Sequence, residues 1–450
     1  MSAPPRVCVI GAGSSGIATA KVLLERGIPF DCFELSDRIG GNWVWGNRNG
    51  VSAAYRSLHI NTSRERMAFS DFPMPAELPD FPRHDQVAAY FDAYADHFGL
   101  RDRITFRTGV QHVAPRPGGF DVTLSTGETR GYEAVCVANG HHWDPRWPEP
   151  AFPGADSTAI EQIHSHSYTE EAQLAGKRVV VVGMGNSAVD IAVDASYHGA
   201  ATYLSARRGA HVIPKYVFGR PYDQIAGSER IPGWIRWPLA RLLLKSTTGR
   251  MTRYGLPAPD HKFAQAHPTM SSRVLDRLAH GAITPKPNIS RLDRSSVVFT
   301  DGSRVEADLV VYCTGYRISF PFFDAGFLDP GEDNEVRLYQ RVFHPRVPGL
   351  YFIGLVQPLG AIMPIAERQS ELVADHLQGS YALPDRLGML AEIAKHRQAV
   401  AKRYVASKRH TIQVDFDDYM RELRRERIRG AQRSAPAART SRRVAGRAYA

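Results

Sequence analysis

A short apolar strand running straight into a glycine-rich turn constrains this chain more than any other feature. Val7, Cys8, Val9 and Ile10 lead into Gly11, Gly13 and Gly16, and Ile17 to Arg26 continue as a helix pattern stopped by Gly27. In such a stretch the first glycine makes the tight turn, the second lets backbone approach a pyrophosphate and the third lets helix and strand pack closely. The helix start, with Ser15 in the same loop, offers free N–H groups to phosphate. A second apolar strand, Pro29 to Leu35, carries Glu34, 18 residues after Gly16, where a carboxylate meets a ribose 2′-hydroxyl. Strand, helix and acid stand in register for a dinucleotide-binding fold.

The theme returns once. Arg178 to Val182 reads as a strand, and Gly183, Gly185, Asn186, Ser187 and Ala188 open a helix through Val193. Alanine is tolerated at the third glycine position. The following strand, Ala201 to Ala206, ends in Arg207 and Arg208 rather than an acid, with Arg207 19 residues after Ala188. A carboxylate there repels a nucleotide 2′-phosphate, whereas a guanidinium pairs with it in a forked, charge-assisted contact. The plain alternative is a solvated strand end. On this reading the first site suits FAD or NAD and the second suits NADPH.

Bulk properties bound the rest. The net charge is +10, and residues 421–450, with ten Arg and two Glu, carry +8 of it. The body is nearly neutral, so a basic nucleic-acid face on the fold is not expected. Cys8, Cys32, Cys136 and Cys313 each lie in or beside an apolar strand pattern with no CxxC pair, which argues against a redox dithiol or a zinc knot. With no secretory leader pattern and no run of 18 apolar residues, a cytoplasmic protein with no membrane span is expected. A homo-oligomer is left open.

Between the fingerprints the pattern is less regular. Gly40-Gly41 can bring backbone close to a ligand and Trp43 can cover an apolar face, although a surface turn explains both. Residues 55–75 mix polar and apolar side chains without a period. Asn61 within them can donate and accept towards a flat heterocycle, or simply serve as a turn residue. Residues 84–98 read as an amphipathic helix and Tyr132 to Gly140 as a buried strand. His141 and His142 follow it without a third ligand at metal spacing, and a proline-rich stretch at 144–156 marks a boundary. The basic, amphipathic stretch Trp234 to Lys245 suits a helix packed over a cleft, with a membrane-surface helix as the other reading. Strands are expected near 295–306 and at Asp308 to Cys313, a helix up to Leu377, and further helices at 387–408 and 415–428. The tail from about Gly430 lacks a core pattern and is expected to be disordered.

Taken together these pieces resemble the flavin-containing monooxygenases. GAGSSG at 11–16, GGNW at 40–43, LHINTSRERMAFSDFPMP at 58–75, GMGNSA at 183–188, CTGYRISFPF at 313–322 and LYQRVFHPRVPGLYFIGLVQP at 338–358 carry the resemblance, and VDFDDYMREL at 414–423 is similar to a late segment of the family. The family's FxGxxxHxxxY stretch is half present: His164 and Tyr168 are in place, but Thr158 and Ile160 stand for Phe and Gly. Tyr168, rather than Trp, resembles the amine- and sulfide-oxidising branch. Asn139 stands where Thr is common.

The resemblance implies an α/β fold of two dinucleotide-binding, Rossmann-like domains, with the NADPH domain inserted in the FAD domain. The expected division is 1–165 and 295–425 for FAD, 166–294 for NADPH and 426–450 as a basic tail. Gly11, Gly13, Ser15, Gly16 and Glu34 would hold FAD. Gly41, Asn42, Trp43, His59 and Gln357 would lie near the flavin, and Asn61 would be the active-site asparagine. Gly183, Gly185, Asn186, Ser187 and Ala188 would hold the NADPH pyrophosphate, and Arg207 and Arg208 its 2′-phosphate. The implied reaction passes a hydride from NADPH to FAD, forms a C4a-hydroperoxide with O2 and transfers one oxygen atom to a nitrogen or sulfur nucleophile of a small molecule. Baeyer–Villiger oxidation of ketones is the alternative. A simple NADPH-dependent flavin reductase or a nucleotide-binding protein without catalysis ranks below it.

Overall fold

The computed structural model describes residues 6–47, 49–226, 233–263, 265–266, 268–328, 330, 334–403 and 411–435. Its frame is two five-stranded parallel sheets, each built around one glycine-loop strand. The first half gives β1 (Val7–Ile10), α1 (Ser14–Glu25), β2 (Phe30–Phe33), α2 (His84–His97), β3 (Ile104–Thr105) and β4 (Ala134–Val137). The second unit gives β5 (Glu161–His164), β6 (Arg178–Val182), α3 (Asn186–His198), β7 (Ala201–Ser205), α4 (Gly233–Thr247), β8 (Thr284–Lys286) and β9 (Leu309–Tyr312). The chain then returns with β10 (Leu350–Phe352), α5 (Met363–Leu377), α6 (Arg386–Arg403) and α7 (Phe416–Ser434).

The first sheet runs β10-β4-β1-β2-β3 and the second β8-β7-β6-β9-β5. β1 pairs with β2 from Val7↔Phe30 to Ile10↔Phe33, and β6 with β7 from Arg178↔Ala201 to Val182↔Ser205. Strands covered on both faces read as unbroken apolar runs, and β1, β4 and β9 are buried at every position. Expected and observed elements agree closely here because continuous Val, Ile and Cys runs have few other places to go.

The described elements and the expected division differ in extent at two places. The second sheet takes in β5 and β9, so its strands reach from residue 161 to 312, wider than the expected 166–294. β9 lies beside β6 in the second sheet as β4 lies beside β1 in the first. The tail expected from residue 426 is still helical to Ser434. Glu426 is buried and accepts the Tyr381 hydroxyl at 3.0 Å, Arg433 pairs with it, and Gly430 lies so close to the Tyr381 ring that a Cβ there would overlap it. Residues 436–450 lie outside the described residues, as do 404–408 of the expected helix 387–408.

α4 covers part of the second unit. Ala240, Leu244 and the half-buried Trp237 pack on Ile213, Val217, Tyr222 and Phe263, while Trp234 and Leu242 are 77% and 67% exposed. Among the described residues no helix is long and apolar enough to cross a membrane.

Candidate active site

Both glycine loops are built the same way. At the first, the Gly11 N–H donates to the Phe33 carbonyl (2.8 Å) and Ala138 N–H to Ile10 (3.0 Å). Gly11 has φ +99°, and a Cβ on it would come within 2.8 Å of the Ala138 carbonyl oxygen. At the second, Gly183 N–H donates to Ser205 (2.9 Å) and Cys313 N–H to Val182 (2.9 Å), with φ +132° and the Cys313 oxygen 2.7 Å from a Cβ at Gly183. Only glycine fits a backbone wedged between two strands in this conformation. A Cβ on Gly16 would overlap the Gly11 carbonyl. Its counterpart Ala188 is fully buried, so the second loop leaves room for one methyl group.

These loops fit dinucleotides. A Cβ on Gly13 would project towards the Gly41 backbone, 3.6 Å from its Cα. A Cβ on Gly41 would in turn lie 3.1 Å from the Gly13 Cα, so the loop and the Gly40–Gly41 turn are in close backbone contact. That turn is docked by Gly40 N–H donating to the Ala12 carbonyl at 3.2 Å. Glu34 has a structural task at this loop. Its two carboxylate oxygens accept the N–H groups of Ala12 (2.6 Å) and Ser36 (2.7 Å), and it is buried. Burial raises its pKa and the two N–H donors draw it back. The acid therefore ties the glycine loop to the end of β2, while each oxygen keeps a second lone pair for a hydroxyl. Behind the loop, Gly354 sits so close to Ser15 that a Cβ would overlap its hydroxyl, and Gln369 Oε1 accepts the Gly354 N–H at 2.7 Å.

The second loop is braced from the side. Asn186 Oδ1 accepts the Met270 N–H (2.8 Å), and the Thr269 hydroxyl donates to the Met184 carbonyl. Asn186 thus supports the loop. Ser187 is half-buried at the start of α3, and Gly185 is the residue that precedes that helix. Arg207 and Arg208 are both exposed just beyond β7. Arg208 Nε is held by Asp260 Oδ2 at 2.6 Å, whereas Arg207 forms no ion pair with the described residues. The two arginines are therefore unequal, and the spacing argument did not anticipate the acid.

Residues 55–63 stitch the two units together. Tyr55 and Leu58 pack in the apolar cluster of the second unit with Val179 and Ala188, while Ile60 packs in that of the first with Ala12, Ile39 and the partly buried Trp43. The Tyr55 hydroxyl donates to Asp190 (2.7 Å), and the hydroxyls of Ser57 (2.5 Å) and Tyr168 (2.9 Å) donate to Asp194. Both carboxylates stand one turn apart on α3. Burial raises the pKa of each, that of Asp190 to about 6. Tyr168, the branch-marking residue, is fully buried and packs against Tyr55 at 5.7 Å.

Asn61 follows at this seam, half-buried in an irregular turn. His59 Nδ1 lies 2.8 Å from the Ser57 carbonyl, and burial lowers its pKa, which keeps the ring neutral near pH 7. Asn42 Oδ1 accepts the Ala53 N–H (2.8 Å), so its carbonyl shapes the 42–53 loop. Gln357 is half-buried on a strand, Gln357–Leu359, that pairs with residues 413–415. Its contacts do not join it to the glycine loops. His141 is half-buried, and both desolvation and the neighbouring His142 lower its pKa. Among the described residues no group of three His, Cys, Asp or Glu side chains could hold a metal ion.

Lys215 and Asp223, which the sequence reading passed over, also reach this seam. Lys215 Nζ donates to the Ile60 carbonyl at 3.0 Å, and Asp223 Oδ2 accepts both the N–H and the hydroxyl of Ser63, at 2.8 and 2.9 Å. They belong to a stretch without periodicity. The one available signal was a lysine in the apolar run Val212-Ile213-Pro214-Lys215-Tyr216-Val217.

Known proteins share this arrangement. The flavin-binding monooxygenase-like family model matches residues 4–432. Flavin-containing monooxygenase 5 of Rattus norvegicus is 38% identical over 442 residues, covering 94% of this chain and 82% of the relative. Dimethylaniline monooxygenase [N-oxide-forming] 2 of the same species is 36% identical over 439 residues, covering 93% and 82%. The solved structure of an S-allyl-L-cysteine S-oxygenase from Allium sativum superposes with a TM-score of 0.70 at 26% identity, covering 94% of this chain and 88% of that one. The chain belongs to the flavin-binding monooxygenase-like family and is an FAD-dependent NADPH monooxygenase.

Proposed function

We propose that the protein oxygenates a soft nucleophile, the nitrogen of an amine or the sulfur of a thioether, on a small molecule, with the first unit holding FAD and the second NADPH. One observation carries the reading: the segment bearing Asn61 is packed into both units at once, between two glycine loops of the same construction. The names of two relatives, an N-oxide-forming monooxygenase and an S-oxygenase, support the substrate class.

FAD, when bound, supplies the redox and oxygen-transfer chemistry, with NADPH as reductant and O2 as oxidant. The chain's own residues bind, orient and exclude water. Gly11, Gly13, Ser15 and Gly16 present backbone and the α1 N-terminus to the FAD pyrophosphate, and Glu34 offers its remaining lone pairs to the ribose. Gly183, Gly185, Ser187 and Ala188 do the same for NADPH, with Asn186 bracing that loop. Arg207 meets the 2′-phosphate, and Arg208 shares its charge with Asp260. The Asn61 amide donates through Nδ2 and accepts through Oδ1, which lets it orient a polar reacting group on one side and a ring on the other. Gly41, Asn42 and Trp43 form the wall beside the first loop. His59 and Gln357 are carried as further wall residues on the resemblance alone. The same reading puts the protein in the cytoplasm, which cell fractionation tests.

NADPH consumption and product mass with a thioether, a tertiary amine and a cyclic ketone test the reaction. An S-oxide or N-oxide formed in step with NADPH supports it, and a lactone or ester as the main product overturns it. Asn61→Ala tests the site. The variant should keep FAD and accept hydride from NADPH, yet yield about 10²–10³-fold less product per NADPH, the usual cost of losing one preorganised donor. Near-parent coupling would leave Asn61 as a turn residue.

A further inference from the structure

Asn61 and Thr62 form a turn whose two ends are gripped by one segment of the second unit. On the near side Lys215 Nζ donates to the Ile60 carbonyl (3.0 Å) and lies over the Phe81 ring, 4.8 Å from its centroid. On the far side Asp223 takes both the N–H and the hydroxyl of Ser63. The gripping segment is itself closed: Tyr222 N–H donates to the Lys215 carbonyl (2.9 Å), and Lys215 N–H to the Ser272 hydroxyl (2.9 Å). Tyr216 adds a third tie through its hydroxyl to Asp80 (2.8 Å), and the Asp80 carbonyl accepts the Arg64 N–H (2.8 Å). The Lys215 ammonium is partly desolvated, which lowers its pKa, and the Asp190 carboxylate counters this. A lysine kept in such a place for packing alone would be poorly chosen, since an uncharged side chain fills the same space without the desolvation cost.

We infer that Lys215 and Asp223 are positioning residues for oxygen transfer, which hold the Asn61–Thr62 turn at both ends from the NADPH-side unit. The inference rests on Asn61 acting as proposed above. It makes the register of the Asn61 amide depend on how the two units sit together. It also assigns a task to residues 215–223, for which the nucleotide loops give none.

The test uses the full-length, FAD-loaded protein. Lys215→Met, Lys215→Arg, Asp223→Ala and the conservative Asp223→Asn are compared with the parent. Hydrogen exchange over residues 58–66 reads the grip directly, with residues 178–193 as internal reference. Stopped-flow reduction by NADPH and product per NADPH read its consequence. Lys215→Met and Asp223→Ala should speed exchange over 58–66 by about tenfold or more and leave the reference segment unchanged. Flavin reduction should stay within about twofold, and product per NADPH should fall by about 10- to 100-fold, the scale on which small misplacements act. Lys215→Arg should restore much of the coupling. Unchanged exchange over 58–66 overturns the grip. Faster exchange with parent-like coupling overturns the positioning role. If Asn61→Ala is itself fully coupled, the underlying site assignment has failed. If Asn61→Ala uncouples while Lys215→Met and Asp223→Ala do not, this inference alone has failed.

Discussion

Glu34 offers the sharpest separation of two roles that one residue can play. As a ribose ligand only, it would matter to FAD affinity and nothing else. The structure gives it two backbone N–H donors, from Ala12 and Ser36, in a buried position. Glu34→Gln keeps the size but offers one acceptor and one NH2 group, so one buried N–H faces another donor. An unsatisfied buried donor costs about 1–3 kcal/mol, and a lost bond to a charged acceptor about 1.5–3 kcal/mol. Against this, burial already raises the pKa of Glu34, so a neutral side chain recovers part of the desolvation penalty. The balance is a net loss of about 2 kcal/mol in the protein without FAD, or roughly 4–8 °C in the melting of the FAD unit. FAD affinity should fall further, by about tenfold for a lost ribose contact. Melting of deflavinated parent and variant, with FAD titration by fluorescence, measures both. An unchanged melting temperature without FAD would refute the loop-tying role, even if FAD affinity dropped.

Arg207→Ala should cost about 10- to 150-fold in kcat/KM for NADPH and little for NADH. Arg208→Ala should cost less because Asp260 already holds that side chain, and the NADPH to NADH preference in each variant checks both. Gly183→Ala puts a methyl group against the Cys313 carbonyl in a left-handed backbone. It should weaken NADP+ binding by about tenfold or more while FAD content stays at parent level, as read by NADP+ titration and the flavin spectrum. Asp190 has a folded pKa of about 6, above the ordinary carboxylate value, so its contribution to stability is present at low pH and is lost as pH rises through 6. Asp190→Asn should remove that dependence, worth roughly 2 kcal/mol between pH 4 and 7, and the difference in melting temperature between parent and variant across that range measures it.

What was legible in the sequence was whatever depends on short-range pattern. The unbroken runs at 7–10, 134–137, 178–182 and 309–312 could only be buried strands, and Gly11, Gly16 and Gly183 announced backbone in places no side chain fits. Sheet membership was harder, because Tyr132–Gly140 and Asp308–Cys313 look alike and nothing local says that each belongs to a different sheet. The end of α7 was missed because Arg-rich periodicity hides a helix whose buried side is made by Glu426 and Gly430, an acid and a glycine, against Tyr381. Lys215 and Asp223 were invisible for a related reason: their value lies in partners more than 150 residues away, Ile60 and Ser63.

The duplicated loops explain why the seam carries so much of the proposed chemistry. Each unit can bind its own nucleotide with residues drawn from its own sheet, so neither sheet alone brings reductant and acceptor together. That task falls to whatever fixes one unit against the other. Here the 55–63 segment contributes Tyr55 and Leu58 to one core and Ile60 to the other. Three hydroxyls, of Tyr55 and Ser57 from this segment and of Tyr168 from the second unit, satisfy two α3 carboxylates that otherwise repel each other along the helix. Two like charges one helical turn apart are destabilising by themselves. They are tolerable because the facing unit supplies donors, so the arrangement rewards one relative placement of the units over its neighbours. On the proposed reading, a nucleotide bound across the seam in that placement would meet Asn61 already set, and a change at Asp190 or Asp194 should be felt in coupling before it is felt in the affinity of either cofactor.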